Sequence, residues 1–147
     1  MNKIQIDFLI KQGSLRRRVF DFEKIKSMIE FSESNAQAVK KITLSDENAT
    51  IIFRELYESI RQLGEAFWWI NGYEPMGVGS HTITLDILKE LDIKEKTQLN
   101  YLERFKKIRH DANYRGIKVL LSHAEEILSF WDKCSKDIIK EILGYVK

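Results

Sequence analysis

Ile117-Lys118-Val119-Leu120-Leu121-Ser122-His123-Ala124-Glu125-Glu126-Ile127-Leu128-Ser129-Phe130-Trp131-Asp132-Lys133-Cys134-Ser135-Lys136-Asp137-Ile138-Ile139-Lys140-Glu141-Ile142 is the stretch that decides the fold class. Ile117, Leu120 or Leu121, Ala124, Leu128, Trp131, Cys134 or Ser135, Ile138 and Ile142 recur at three- and four-residue steps, the period of one helix face. A helix over this span has about seven turns and runs roughly 40 Å. Its apolar side needs a long partner, and the chain supplies several.

Immediately upstream, Leu99, Leu102, Phe105 and Ile108 repeat at strict three-residue spacing and continue into Ala112, with Gly116 as an interruption or kink. Leu85, Leu88 and Leu91 mark a short helix before them. Ile52, Leu56, Ile60, Leu63, Phe67 and Ile70 form another stripe, started by the polar Ser45, Glu47 and Asn48 and stopped by Asn71-Gly72 in a left-handed turn. Phe22, Ile25, Ile29, Ala36 and Val39 form an earlier one, ending near Ile42. At the start, Ile4, Ile6 and Phe8 alternate as a strand would, while Ile6, Phe8, Leu9 and Ile10 also suit a short helix; a lone strand lacks a partner, which favours helix. No segment alternates long enough to build a sheet. The expected fold is an all-α antiparallel bundle of four principal helices, one of them short, with an additional N-terminal helix, in one domain over residues 1–147.

Size and composition suit that architecture. The chain has 147 residues, 44% hydrophobic and 31% charged, enough for a real core under a soluble surface. No apolar run approaches the ~20 residues that span a bilayer, and Met1–Phe8 carries Lys3 and Asp7 where a signal peptide would be apolar. The single cysteine, Cys134, excludes an internal disulfide framework and reads as a buried thiol. These features point to the cytoplasm. The net charge of +2 demands no nucleic acid, but two basic clusters stand out: Arg16-Arg17-Arg18, and Arg104, Lys106, Lys107, Arg109, Arg115 and Lys118.

The second cluster is the segment able to carry chemistry. On a helix, Lys106, His110 and Tyr114 follow at i, i+4 and i+8 on one face, with Arg109 and Asn113 on the adjoining face. Arg104 precedes His110 by six residues, roughly 120° around the axis at ~100° per residue; two copies meeting at a dimer axis bring such groups together more easily than one chain does. Arginine offers a charged fork of donors that matches phosphate oxygens. Histidine exchanges protons near neutral pH. On RNA, His110 can take the 2′-hydroxyl proton or protonate the departing 5′-oxygen, Arg104 or Arg109 can stabilise the phosphorane-like transition state, and Tyr114 can stack on a base or hold the phosphate. No metal or cofactor is required. A plainer account stands beside this one: a basic run is commonly a solvated face, and Lys107–Asp111 and Asp111–Arg115 are ordinary i,i+4 pairs.

The helix order, together with Lys107-Ile108-Arg109-His110-Asp111-Ala112-Asn113-Tyr114-Arg115-Gly116, resembles the HEPN superfamily, especially its small prokaryotic members. Asn71-Gly72-Tyr73-Glu74-Pro75 and Gly79-Ser80-His81 resemble the loop before the third helix in some of them. The resemblance implies a helical, commonly dimeric domain, often partnered by a minimal nucleotidyltransferase, and frequently a metal-independent ribonuclease or toxin of a toxin–antitoxin pair. The family motif is an arginine, often followed by a polar residue, and a histidine, with about four to six residues between the two, or one to two helical turns. Arg104 and His110 fit the spacing, with Phe105 in the polar place. In a second register Arg109 is the motif arginine and His110 its polar neighbour, which puts Tyr114 where the histidine belongs. That register keeps the fold and interface of the family without its catalytic pair.

Other signals are weaker. His81 and His123 make no local metal motif with His110, and Gly77-Val78-Gly79 matches no phosphate loop. Trp68 and Trp69 adjoin Phe67 and Ile70, so one tryptophan faces a second helix, a subunit or a ligand, unless the core takes both. Three function classes follow. They are an endoribonuclease using Arg104 and His110 with Lys106, Arg109, Asn113 and Tyr114 in support; a non-catalytic module bound to a nucleotidyltransferase or another macromolecule; and a ligand-binding bundle with a pocket lined by Trp68, Trp69, Tyr73 or Tyr114.

Overall fold

The C-terminal stretch is helical over α6 (Leu121–Leu143) in a computed structural model that describes residues 1–146. Ala124, Ile127, Phe130, Trp131, Cys134, Ser135, Ile138 and Ile142 form its buried face. The helix is shorter than the periodicity predicts, because Ile117 and Leu120 stand exposed ahead of it and only Val119 of that segment turns inward. The Val119 amide is tied down by the Thr50 hydroxyl at 3.1 Å.

Five further helices complete an all-α bundle among the described residues: α1 (Lys3–Lys11), α2 (Phe22–Lys40), α3 (Ala49–Ile70), α4 (Ser80–Asp86) and α5 (Tyr101–Tyr114). The N-terminal segment is therefore a helix, and Asn2 and Gln5 close a capping box at its start. The central element is α3, which packs along α2 and α6 and also meets α4 and α5. It buries Ile52, Phe53, Leu56, Tyr57, Ile60, Leu63, Ala66, Phe67, Trp68 and Trp69, more than one stripe, because neighbours surround it. Both tryptophans thus belong to the core, at 1% and 8% exposure, and the Trp68 indole donates to the Ile83 carbonyl at 2.9 Å. The stripe on α2 is completed by a residue that hydrophobicity does not flag. Ser32 fills the gap between Ile29 and Ala36, fully buried, with its hydroxyl donating to the Ser59 carbonyl at 2.8 Å.

Three-residue spacing proves literal in two places. Leu99 lies in a 3-10 turn, Lys96–Asn100, leading into α5, and Leu88 lies in another, Ile87–Glu90, continuing α4. Asn48 caps α3 by position but not by side chain; its amide braces the preceding loop, accepting from Ser45 N at 2.8 Å and donating to Thr43 O at 2.8 Å.

The expectation that no strands pair needs one correction. β1 (Leu15–Arg17) and β2 (Tyr73–Pro75) form a two-stranded antiparallel ribbon pairing Leu15 with Pro75, Arg16 with Glu74 and Arg17 with Tyr73. Three residues leave no readable alternation, and the partners are far apart in sequence. Gly72, at φ 90°, ends α3 in the left-handed turn that Asn71-Gly72 predicts and feeds the chain into β2. The first basic cluster is largely neutralised here: Arg16 and Arg18 both pair with Glu74, and Arg17 reaches Asp7 at 4.0 Å.

Cys134 is buried, and burial pushes its thiol up to about 11, so it behaves as a core residue. No described helix is long and apolar enough to cross a membrane. A cavity of about 150 Å³ touches Trp68 and Tyr73 beside Met1, Phe67 and Tyr145, below the roughly 300 Å³ at which small-molecule sites begin. Tyr114 lies elsewhere.

Candidate functional site

Helix α5 is held by its inward residues. Leu102 and Phe105 are buried, and the Phe105 ring meets Phe53 edge-on at 5.9 Å and Phe130 at 5.5 Å. Arg109 follows Phe105 by one turn, which sets it beside α3 and α4 instead of open solvent. Between α4 and α5 runs a groove of about 360 Å³ lined by Tyr57, His81, Lys106, Arg109, His110 and Tyr114, with Val78, Gly79 and Thr82 at its edge.

Four of the six site residues expected from sequence meet in this groove: Lys106, Arg109, His110 and Tyr114. The other two do not. Arg104 points to α6, where its guanidinium grips Glu126 through two bonds of 2.8 and 3.0 Å. Its side chain is 52% exposed, so this is a surface pair on a different side of α5 from His110. Within one chain, the expected Arg104–His110 pair is therefore not assembled. Asn113 accepts from Arg54 on α3 at 2.8 Å and anchors the end of α5 to the bundle.

The polar contacts of the groove divide its cations into matched and unmatched. Lys106 bonds Asp86 at 2.7 Å and Glu103 at 2.7 Å. Bonds from Lys106 and Lys89 hold the Glu103 carboxyl down to about 2. Lys107 and Asp111 make the i,i+4 pair foreseen from sequence at 3.0 Å, and Arg115 approaches the same carboxylate at 3.8 Å. Arg109 differs. Its guanidinium lies 5.2 Å from the centre of the Tyr57 ring and its Nη2 is 3.3 Å from His81 Nε2, and it forms no salt bridge among the described residues. Tyr57 is buried, and that burial raises its hydroxyl well above the ordinary tyrosine range, so the ring faces Arg109 uncharged. The His110 and Tyr114 rings lie against each other at a 40° tilt with centres 4.9 Å apart, and Tyr114 is 70% exposed.

His81 is a groove residue that sequence reading gives no catalytic part, weighing it as a metal ligand and as the end of the loop before a helix. It sits in the first turn of α4, after the glycines, and nothing in its local pattern says that α4 docks beside α5. Burial lowers its affinity for a proton, the charges of Arg109 and Arg61 lower it further, and Glu58 opposes them. Its Nδ1 is sealed from solvent without a hydrogen-bond partner. Among the described residues no three His, Cys, Asp or Glu side chains gather as a metal site.

The arrangement can do three things chemically. It can attract an anion through Arg109, exchange protons through two imidazoles, and stack a planar group on Tyr114. Comparison of the chain with family models, with curated proteins and with solved structures returns no match.

Proposed function

We propose that the groove between α4 and α5 binds single-stranded RNA and cleaves it without a metal ion, as a HEPN-like endoribonuclease. The observation that carries this is Arg109: a guanidinium with no carboxylate partner, set between Tyr57 and His81 and beside His110. A phosphodiester supplies the charge that Arg109 lacks. Tyr114 offers a base-stacking platform, and Lys106 adds positive potential despite its partners. His110 is the exposed proton-transfer group. This grouping takes its arginine from the Arg109 register but uses His110 as a working imidazole where that register has only a polar neighbour, so the proposed site is not the family's Arg104–His110 pair, and Arg104 stands outside it.

The test is cleavage of structured and unstructured RNAs by the purified chain in excess chelator. Loss of an acid–base group lowers such rates by about 10²–10⁴, and loss of a charge-stabilising donor by about 10²–10³. His110→Ala and Arg109→Ala are expected to fall by at least about a hundredfold. Arg104→Ala is expected to stay within a few fold. Wild-type inactivity on every RNA, or equal rates in His110→Ala, overturns the proposal. A large loss in Arg104→Ala with Arg109→Ala unaffected restores the other register, assembled across a homodimer.

A second reading has one observation in its favour. Ile51, Ile117 and Leu120 are exposed where the segment after α5 crosses the start of α3, close to the Arg54–Asn113 bond. Exposed apolar side chains at this crossing suit a non-catalytic module that docks on a nucleotidyltransferase. A stable complex that weakens in Leu120→Asp, from a chain with no RNA cleavage, supports that reading.

A further inference from the structure

Two imidazoles share the groove, and their surroundings differ in a way that assigns them different tasks. His110 is exposed and lies against the Tyr114 ring at a tilt. His81 is half-buried, with Nδ1 shut away from solvent, so Nε2 is the ring nitrogen left to meet a substrate. The one group bonded to Nε2 is Arg109, at 3.3 Å. A guanidinium only donates, so this bond requires a lone pair on Nε2 and puts the ring proton on Nδ1.

The geometry points to His81 as the general base of this groove, taking the 2′-hydroxyl proton of an RNA whose scissile phosphate is held by Arg109, with His110 as the acid. The inference rests on the ribonuclease reading above and deepens it by naming the substrate class, an RNA with a free 2′-hydroxyl. A phosphodiester oxygen carries a negative charge that the neutral Nε2 lacks and can accept two parallel guanidinium bonds, so an arriving phosphodiester draws the Arg109 donors away from Nε2. The lone pair is thereby released beside the phosphate, where the adjacent 2′-hydroxyl lies. His81 Nε2 takes that proton as the 2′-oxygen bonds to phosphorus. The bond from phosphorus to the 5′-oxygen breaks, and the His110 imidazolium protonates the departing oxygen. The products are a 2′,3′-cyclic phosphate and a 5′-hydroxyl, with one proton gained by His81 and one lost by His110.

The charges facing His81 suit a base that waits unprotonated. Arg109, Lys106 and His110 face it from α5, Arg61, Glu58 and Tyr57 from α3, and Asp86 lies on α4 with its carboxylate bonded to Lys106. Glu58 and Glu65 are both taken up by Arg61, at 2.7 and 2.8 Å, so neither offers His81 a strong counter-charge. The net effect of burial and of Arg109 and Arg61 is to disfavour the imidazolium.

Three measurements test the assignment together. In the wild-type chain, nitrogen-15 NMR of the three histidines is expected to show His81 as the neutral Nδ1–H tautomer at pH 7, shifting on addition of adenosine 3′-monophosphate. An Nε2–H tautomer, or no shift with that nucleotide, overturns the inference whatever the variants do. The rate profile against pH is expected to be bell-shaped, with its acid limb below 6.5, the ordinary histidine value. His81→Asn loses at least about a hundredfold together with the acid limb, and His81→Ala regains activity with added imidazole. His110→Asn also loses at least about a hundredfold but keeps the acid limb. Cleavage by His81→Asn with the acid limb intact overturns the base role alone, and absence of cleavage by the wild-type chain overturns the ribonuclease reading as well.

Discussion

Arg109 shows how little separates an arginine spent on a carboxylate from one whose charge stays available. Arg61, also beside Tyr57 and His81, is clamped between Glu58 and Glu65 on its own helix and has no charge to offer a ligand. Arg104 is likewise spent on Glu126. Arg109 alone of these three faces an aromatic ring and a neutral nitrogen, which leaves its charge available. His81 carries a consequence for stability. Its folded value lies below 6.5, so between that folded value and 6.5 the unfolded chain binds more protons than the folded one. The stability it contributes is fully present above about 6.5 and is lost as pH falls toward the folded value. Urea midpoints measured from pH 7.5 to 5 are therefore expected to fall less steeply in His81→Asn than in wild type. Equal slopes would show that burial does not disfavour the charged ring.

At the scale of elements, the placement of α4 decides whether a groove exists. α4 can lie against α3 because Gly64 has no side chain: a Cβ there would stand 2.2 Å from the Thr84 carbonyl oxygen. The obstacle is backbone, so it cannot swing aside as a side chain would. Gly64→Ala is expected to destabilise the chain by about 1–3 kcal/mol, the usual range for overpacking, although alanine is the better helix former. It should also push α4, and His81 with it, away from Arg109. A lowered urea midpoint together with a displaced His81 imidazole signal is the expected result; an unchanged midpoint contradicts the close approach. Gly64 sits unnoticed within a helical stripe in the sequence, where a glycine reads only as a mild weakness.

Across the whole molecule, periodicity exposes long helices well and juxtapositions poorly. The stripes on α2, α3, α5 and α6 were legible because burial on one face repeats every turn, and Gly116 and Asn71-Gly72 marked breaks correctly. The β1–β2 ribbon was not legible, since three-residue strands paired across the chain leave no local trace. The same limit governed the site. Lys106, Arg109, His110 and Tyr114 can be grouped from sequence because they share one helix, whereas His81 and Tyr57 come from other elements and join the groove only through packing. Linear spacing also says nothing of Glu126, which pairs with Arg104 from α6. Charge is distributed to the same end: Arg16 and Arg18 share Glu74 and Arg17 reaches Asp7, whereas Arg109 in the α4–α5 groove has no carboxylate partner among the described residues.

RNA binding in this groove is tested most directly by mapping amide and side-chain NMR shifts during titration with a short, non-cleavable 2′-deoxy-substituted RNA at low salt. Shifts confined to Tyr57, His81, Arg109, His110 and Tyr114, which fade as salt is raised, are the predicted result. Shifts centred on Arg16–Arg18 or on the Arg104–Glu126 face, with the groove silent, would contradict it.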